Sequence, residues 1–518
     1  MKRVKIILPA LLGLMTIPAM AQETYQDAKL AETALTGTAR YVGMGGAMEA
    51  LGADLSTIST NPAGIGMFRK SQAALSAGVL AQSSADKNFT FDGTNAYIDG
   101  KNSKVSFDQI GLVWSMAHRN QTYVNLAFNF HKSTDFMQIL TATSMLNGAS
   151  QSKLAANKTD YSNYIDTRYD GYIRNAGDLI WNGVDENYHK LMGKDENNLQ
   201  NFYDGRSFLF GQYQHGYIGV YDFNISGSIK NRVWWGVTLG LHDVNYHSDS
   251  YYTENFVAEK EAWGESCESL KIDGTGFDFK LGAIIRPFET SPLRIGLAIH
   301  TPTFYKLTLA TNVFLESGIY GQNDKGETEF YKTTVDSYDF LDNKDMTYDY
   351  ELRTPWKYNL SLGYTVGTNL ALGAEYEYQD YSSIRLYYPE GDEMGYENST
   401  IKEMLKGVST FRIGAEYKVI PEFALRAGYN YSTAAYKDGA YKDLPLNSVM
   451  TDTDYANAKS KSNYTLGIGY RGSLVYADLA YQYSTYKSDF YAFDDEYLNK
   501  TKVTNTRSQV IFTLGMRF

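Results

Sequence analysis

Residues 370–379, which read LALGAEYEYQ, decide how this 518-residue chain folds. Leu370, Leu372, Ala374, Tyr376 and Tyr378 alternate with Ala371, Gly373, Glu375, Glu377 and Gln379. Successive side chains of a strand point to opposite faces, so this stretch predicts a strand with one mainly apolar face and one mainly polar face. The apolar row ends in two tyrosines, and the polar row carries charge.

The same alternation recurs in residues 277–285, 411–417 and 423–431. A soluble β-sandwich shows this period too, so the alternation alone does not separate the two architectures. Charged residues and glycine on the polar face suit a wet or plugged barrel interior, and tyrosines ending the apolar face suit the aromatic girdle of a membrane barrel. The sequence therefore predicts an all-β fold, a transmembrane antiparallel β-barrel with long extracellular loops.

The connections between these segments support the same fold. Short turns alternate with long polar loops, of which 131–206 is the longest, and this is the anatomy of outer-membrane barrels. An even number of strands places both chain ends on the periplasmic side. We predict about fourteen strands, which begin near Gln72, Phe107, Gln121, Gly216, Arg232, Gly274, Pro292, Met346, Asn369, Thr410, Glu422, Asn463, Ser473 and Val503.

Both ends of the chain carry signals for export. Residues 1–5 are basic, residues 6–18 are apolar and residues 19–21 are small, which predicts a secretory signal peptide over residues 1–21. The apolar run is short for a membrane anchor. At the other end, an alternating strand finishes on Phe518, which resembles the signal read by the barrel-insertion machinery. The predicted location is the outer membrane of a Gram-negative cell.

Composition narrows the possible functions. The chain holds 44 Tyr and 45 Gly against 10 Pro, which favours strands. Its net charge of −11 argues against binding of nucleic acid, which requires basic surface. Cys267 is the single cysteine, so an internal disulfide and a thiolate zinc site are excluded. We expect no cofactor and no metal.

Residues 22–70 do not alternate, and they are rich in small residues and glycine. A lumen of about fourteen strands lies between packed eight-stranded barrels and open porins of sixteen, so something is needed to fill it. We therefore predict that residues 22–70 form a plug, or hatch, inside a barrel made by residues 71–518.

Three patches of the sequence resemble the FadL/TodX family of outer-membrane transporters for fatty acids and aromatic hydrocarbons. They are residues 39–64, with Asn61-Pro62-Ala63-Gly64; residues 276–302, which close with His300-Thr301-Pro302; and residues 354–417, from Thr354-Pro355-Trp356 to Ala415-Glu416-Tyr417. The resemblance implies a fourteen-stranded barrel with an N-terminal hatch. It also implies passive uptake of a hydrophobic ligand, released sideways near a kinked third strand. Here that strand would be Gln121–His131, which contains no Pro or Gly to mark a kink.

Asn61, Pro62, Ala63 and Gly64 are the candidate hatch gate. Asn can cap a helix and Pro suits its first position, although an ordinary turn would use the same residues. A second set of candidates is chosen for apolarity and position, and its members could equally be packing residues. These candidate ligand-lining residues are Met44, Met48, Leu51, Ile58, Phe68, Phe136, Ile139 and Leu140.

Charged residues on the polar faces form the third set of candidates. Charges that face a barrel interior must be hydrated or paired. We hypothesise that some of them hold the plug through ion pairs to Arg40 or Asp54; the alternative is a hydrated polar wall without a gating role. The set consists of Asp278, Lys280, Glu375, Glu377, Arg412, Glu416, Arg426 and Asp478.

Other functions remain open on the sequence alone. A general porin or an adhesin would use the same barrel, and a haem-binding role would need histidine or tyrosine ligands. The seven histidines show no convincing ligand spacing, and no nucleophile elbow or catalytic triad pattern appears, so an enzyme is not expected. The expected partners are a hydrophobic small molecule and outer-membrane lipids, and the expected state is a monomer.

Overall fold

The computed structural model describes residues 24–83, 85–117, 122–151, 204–258, 261–322, 325, 327–339, 342–442, 450 and 452–518. Its α-helices are α1 (Thr24–Ala31), α2 (Ala39–Gly43) and α3 (Gly395–Met404), and 3-10 helices span Leu55–Ser59, Pro62–Met67, Ser337–Asp339 and Tyr381–Ser383. The strands are β1 (Gln72–Gln82), β2 (Asn88–Phe91), β3 (Thr94–Tyr97), β4 (Ser103–Ala117), β5 (Tyr123–Asp135), β6 (Gln138–Gly148), β7 (Gly205–Ile229), β8 (Val233–Phe256), β9 (Trp263–Ile285), β10 (Arg294–His300), β11 (Phe304–Gln322), β12 (Thr328–Asp336), β13 (Met346–Arg353), β14 (Lys357–Val366), β15 (Leu370–Asp380), β16 (Arg385–Tyr387), β17 (Gly407–Ile420), β18 (Phe423–Ser432), β19 (Tyr455–Arg471), β20 (Val475–Tyr491) and β21 (Thr501–Arg517).

The strands close into one antiparallel barrel. β1 pairs with β21 on one side and with β4 on the other, so the wall closes on itself. Over the described residues the wall has fourteen positions, in the order β1, β4, β5, β7, β8, β9, β10 with β11, β14 with β13, β15, β17, β18, β19, β20 and β21. The predicted transmembrane barrel of about fourteen strands is confirmed.

The two faces of each strand differ as the alternation predicts. On β9, Phe277, Phe279 and Leu281 are 44–51% exposed on the outer face, whereas Asp278 and Lys280 are buried on the inner face. An apolar outer belt and a polar interior are stable only when lipid covers the outside. Among the described residues, no helix is long and apolar enough to cross a membrane.

The barrel has two unlike ends. The turn end carries the short turns and the C-terminus, where the Phe518 N–H donates to the Ser71 carbonyl oxygen. At the opposite loop end, β7, β8 and β9 run for 25, 24 and 23 residues, far beyond the roughly 9–11 that cross a bilayer. There α3 and the 3-10 helix Tyr381–Ser383 pack with these strands in a buried apolar cluster.

Several strand boundaries differ from the sequence prediction. β7 begins at Gly205, not near Gly216, because Gly216 adopts a positive φ of 103° within a strand that continues through it. The predicted third strand is β5, whose pairing with β7 shifts register between Lys132 and Thr134. Of the predicted long loop 131–206, residues 138–148 form β6, while residues 152–203 lie outside the described residues.

Candidate functional site

The N-terminal segment, residues 24–70, lies inside the barrel. α2 contacts the inner faces of β18 to β21, and the 3-10 helix Pro62–Met67 contacts β5, β7, β8 and β9. Ala39, Val42 and Ile58 are fully buried, as are most of the residues between positions 39 and 68. The segment therefore contacts the inner faces of opposite sides of the barrel.

A row of glycines in the barrel wall contacts the N-terminal segment on one side of the lumen. Gly363, Gly373, Gly414 and Gly428 pair directly across β14, β15, β17 and β18. A Cβ atom added to Gly414 would lie 2.2 Å from the Met44 carbonyl oxygen, and those on the other three would likewise meet backbone atoms of residues 44–51 within 3.0 Å. Because these wall positions lack side chains, the backbone of the N-terminal segment packs directly against the backbone of the wall.

The candidate gate residues occupy a second recess in the wall. The Asn61 side-chain oxygen accepts from the Ala63 N–H at 3.2 Å, and its amide nitrogen donates to the Leu297 carbonyl oxygen at 3.3 Å. Pro62 opens a 3-10 helix, which is tighter than the α-helix that such a cap often begins. Added Cβ atoms at Gly236 and Gly282 would lie 2.4 Å and 2.2 Å from Pro62 and Asn61 atoms. Asn61, Pro62, Ala63 and Gly64 are all buried at this wall.

An ion-pair chain links the N-terminal segment to the glycine-row side of the barrel. Arg40 binds Glu416 through two N–O contacts of 2.9 Å. Glu416 also contacts Arg426 Nε at 2.6 Å, and Arg426 Nη1 lies 2.8 Å from Asp478. Two-point contacts of this kind fix the geometry of both groups. Asp54, the other suggested partner, instead accepts hydrogen bonds from Thr38 and Ser56 within its own segment.

The other candidate charges form two further clusters. Arg412 binds Glu377 at 2.9 Å and lies 3.5 Å from Glu375, and the Glu49 backbone N–H donates to Glu375 at 2.6 Å. The third cluster, around Lys280, lies apart from these two. Lys280 contacts Asp222 and Asp278 at 2.9 and 3.0 Å, and His131 and His242 flank the two carboxylates. Asp222 and Glu49 were not among the sequence candidates, although Asp222 lies on the polar row of β7.

Glu49 makes the contact at Glu375 sensitive to pH. Burial raises the pKa of the Glu49 carboxyl to about 7 against the effect of Arg412, which lowers it, while Glu377 raises it further. The folded-state pKa of Glu49 exceeds the usual 4.5. The contribution of protonated Glu49 to the stability of the fold is therefore fully present below pH 4.5 and is lost as the pH rises through about 7. Asn359 donates to Glu49, and Lys357 lies close enough to lower its pKa.

We expect the leak conductance of the barrel to rise several-fold between pH 5 and pH 8.5, because ionised Glu49 faces Glu375 and Glu377. Replacing Glu49→Gln removes the titrating group and should flatten this pH dependence in planar-bilayer recordings. Glu265→Gln, a change at the loop end on β9, is the control and should leave the profile intact. A steep profile that persists in Glu49→Gln would contradict the assignment to Glu49.

A cavity of about 400 Å³ lies inside the barrel, lined both by wall strands and by residues 28–36 of the N-terminal segment. Of the candidate lining residues, Phe136 and Leu140 line it, whereas Met44, Met48, Leu51, Ile58, Phe68 and Ile139 are buried outside its lining. Sequence reasoning missed the residues on the wall strands themselves, because an apolar residue on the inner face breaks the simple alternation. These include Ile218, Val220, Tyr246, Leu270, Tyr305 and Tyr381.

The five histidines of the described residues do not converge on one point. His131, His242 and His300 line the cavity, and His300 Nε2 lies 2.7 Å from the Thr60 carbonyl oxygen. His215 and His247 stack at 4.7 Å between ring centroids on β7 and β8. Over the described ranges, no group of three or more His, Cys, Asp or Glu is placed to hold a metal ion.

A closed barrel with an apolar outer belt, a polar lumen and short turns at one end defines an outer-membrane β-barrel protein. A family model described as "Outer membrane protein transport protein (OMPP1/FadL/TodX)" matches residues 235–516, and the chain belongs to this family. The resemblance seen in the sequence is confirmed, as is the outer-membrane location. No curated protein matches the sequence.

The solved structures similar to this chain are distant in sequence. A Pseudomonas aeruginosa FadL homologue is 12% identical, with 94% of this chain and 99% of that chain covered at a TM-score of 0.49. The CymD monoaromatic hydrocarbon channel is 10% identical, with the same coverage and a TM-score of 0.47. The Pseudomonas putida toluene transporter TodX is 12% identical, with 94% and 99% covered and a TM-score of 0.44.

Proposed function

We propose that this protein is a channel for the passive uptake of small hydrophobic molecules, such as long-chain fatty acids or aromatic hydrocarbons. The observation that carries the proposal is a cavity with an apolar wall inside a barrel whose opposite inner faces the N-terminal segment contacts. Such a cavity accepts hydrocarbon at a gain of roughly 25 cal/mol per Å² of apolar surface removed from water. A concentration gradient supplies the driving force.

In this proposal residues 22–70 act as the plug and residues 71–518 as the barrel. Asn61, Pro62, Ala63 and Gly64 act as the gate, since moving them away from Gly236 and Gly282 would open a path from the cavity towards the turn end. The ion pair between Arg40 and Glu416 holds the rest of the plug while the gate moves. The eight charged candidates thus serve as plug contacts or as neighbouring wall charges.

The remaining partners follow from the outer surface. Outer-membrane lipids cover the apolar belt, and the exposed aromatic ring of Phe518 is available to the barrel-insertion machinery during assembly. Lipid contact on the outer face of each wall strand suits a monomer. No covalent chemistry is proposed, and none is needed for diffusion down a gradient.

The test is uptake by cells that lack their own transporter for hydrophobic molecules. We expect this protein to speed entry of labelled oleate and to leave entry of a polar sugar of similar size unchanged. Val220→Trp, which fills the cavity from β7, should slow oleate entry, whereas Val237→Trp on the outward face of β8 should not. Sugar entry without oleate entry would identify a general porin instead.

A further inference from the structure

The lining of the cavity differs between opposite sides of the barrel. Its apolar arc comes from β7, β8, β9, β11 and the 3-10 helix Tyr381–Ser383, which contribute Ile218, Val220, Tyr246, Leu270, Tyr305 and Tyr381. Polar residues of the same strands border the cavity beside this arc: Gln214, His242, Ser248, Asp278 and Lys280. Its amide arc comes from β17 to β21, about half of the barrel circumference away, where uncharged hydroxyl and amide side chains line the cavity. The members of the amide arc are Thr410, Asn430, Ser432, Asn463, Gln482, Ser484, Asn505 and Gln509.

The amide arc is partly satisfied by its own members. Ser484 donates to Asn463 at 2.5 Å, and Gln482 donates to Ser484 at 3.0 Å. The bonds from Asn463 to Asn430 and from Gln482 to Asn463 are longer, at 3.3 Å, which is the long end for hydrogen bonds. The Gln482 Oε1 and Asn505 Nδ2 atoms are buried and have no partner among the described residues, although both side chains line the cavity. Terminal amides rotate easily, so these atoms are available to a ligand that carries hydroxyl groups.

Four charged side chains that border the amide arc carry ion pairs: Arg412 with Glu377, Lys459 with Asp489, Lys461 with Glu32 and Arg507 with Asp135. The N-terminal segment shows the same division between the two sides of the lumen. Leu30 packs in the apolar cluster with residues of the apolar arc, while Glu32, two residues later, pairs with Lys461 of β19.

A plain hydrocarbon would leave Gln482 Oε1 and Asn505 Nδ2 without partners, and buried polar groups that lose water are costly unless they form hydrogen bonds. A ligand with hydrocarbon on one face and hydroxyl groups on the other satisfies both arcs at once. Rigidity favours it further, because a rigid ligand loses fewer rotamers on binding than an alkyl chain does.

We infer that the preferred ligand is a rigid, facially amphipathic polycyclic molecule, hydroxylated along one face, whose hydrocarbon face lies on the apolar arc and whose hydroxyl groups bind the amide arc. This inference rests on the proposed function, because it specifies the ligand class of the same cavity. Asn463, Gln482, Ser484 and Asn505 are then the residues that determine specificity.

Three steroid acids provide the test, because lithocholate, deoxycholate and cholate share one skeleton and carry one, two and three hydroxyl groups on one face. Each labelled acid is dialysed against the protein in phosphatidylcholine nanodiscs, and binding to empty nanodiscs is subtracted. We expect affinity to rise about tenfold from lithocholate to cholate, as added hydrogen bonds outweigh lost hydrophobicity. Partition by hydrophobicity alone gives the opposite order.

Variants of the amide arc should reverse that order. Asn463→Leu with Gln482→Leu is expected to make lithocholate the tightest of the three. Ser484→Ala, which adds no bulk, should weaken cholate about threefold and leave lithocholate unchanged. Asn224→Leu is the matched control, because Asn224 is a buried inner-face amide of β7 that does not line the cavity. Heat-modifiable migration in gels confirms that each variant is folded.

Three outcomes would overturn the inference: affinity that falls with hydroxyl number in the unaltered protein, an order that survives in the double variant, or no binding of any of the three acids. None of these affects the proposed function, which oleate and sugar uptake decide separately. If oleate enters cells while the affinities of the three steroid acids follow their hydrophobicity, the proposed function is supported and the inferred ligand class is wrong.

Discussion

A valine in place of Gly414 is expected to raise the ionic conductance of the barrel at least about tenfold, because the plug can no longer seat against the wall. Even a single added Cβ would lie 2.2 Å from the Met44 carbonyl oxygen and 3.0 Å from the Met44 carbonyl carbon. Both are backbone atoms, so no side-chain rotation relieves the overlap. The overlap is relieved only if residues 43–48 move away from β17, and we expect this movement to open the lumen.

Planar-bilayer recording measures this effect directly. Gly395→Val is the matched control, since a Cβ there meets no atom within 4 Å, and its conductance should equal that of the unaltered protein. Gly373→Val on the neighbouring strand should reproduce the leak, because its Cβ would lie 2.0 Å from the Ala47 carbonyl oxygen. A folded Gly414→Val barrel with unchanged conductance would show that the plug does not close the pore.

Arg426→Met is expected to lower the free energy of unfolding by about 3–5 kcal/mol, the usual cost of breaking a buried ion pair from one side. The Arg426 side chain is fully buried between Glu416 at 2.6 Å and Asp478 at 2.8 Å. Its loss removes this cation from Asp478 and leaves Glu416 with its ion pair to Arg40. The unfolding free energy is measured by urea titration in lipid vesicles.

Two further variants locate the cause of this loss. Adding Asp478→Asn to Arg426→Met should restore much of the stability, because it removes the carboxylate left unpaired. Lys332→Met breaks a loop-end pair in which the lysine is 54% exposed, and it should cost less than about 1 kcal/mol. A loss for Arg426→Met as small as that for Lys332→Met would contradict a structural role for the chain of ion pairs.

The fold was predictable from sequence because lipid imposes one rule on every wall strand. Outward residues such as Phe277 and Leu372 must be apolar. Apolar residues therefore recur at every second position in each strand of the wall. Each predicted strand corresponds to one position in the wall, although β7 and β9 were each predicted to begin eleven residues too late because Gly216 and Gly274 resemble boundaries, and β19 eight residues too late. Beyond the membrane, lipid no longer selects the outer face, so strand extensions such as those of β7 to β9 leave a weaker pattern.

The site was less predictable because it depends on register between strands far apart in sequence. Gly363, Gly373, Gly414 and Gly428 each lie on a polar row, but only the pairing of four strands turns them into one surface. The amide arc likewise combines five strands, and no single strand reveals it. Arg40 was a candidate for an ion pair to the wall, yet its partner could be chosen only once α2 had been placed against β18 to β21, within reach of Glu416.

The measurement that tests the central claim most directly is photolabelling with palmitate that carries a diazirine at the end of its chain. The claim is that a hydrophobic ligand occupies the cavity inside the barrel. In native outer membranes, mass spectrometry should locate adducts on cavity residues such as Ile218, Leu270 and Tyr381, and excess oleate should compete them away. Adducts confined to the outer belt, at residues such as Leu360 and Phe411, would contradict the claim.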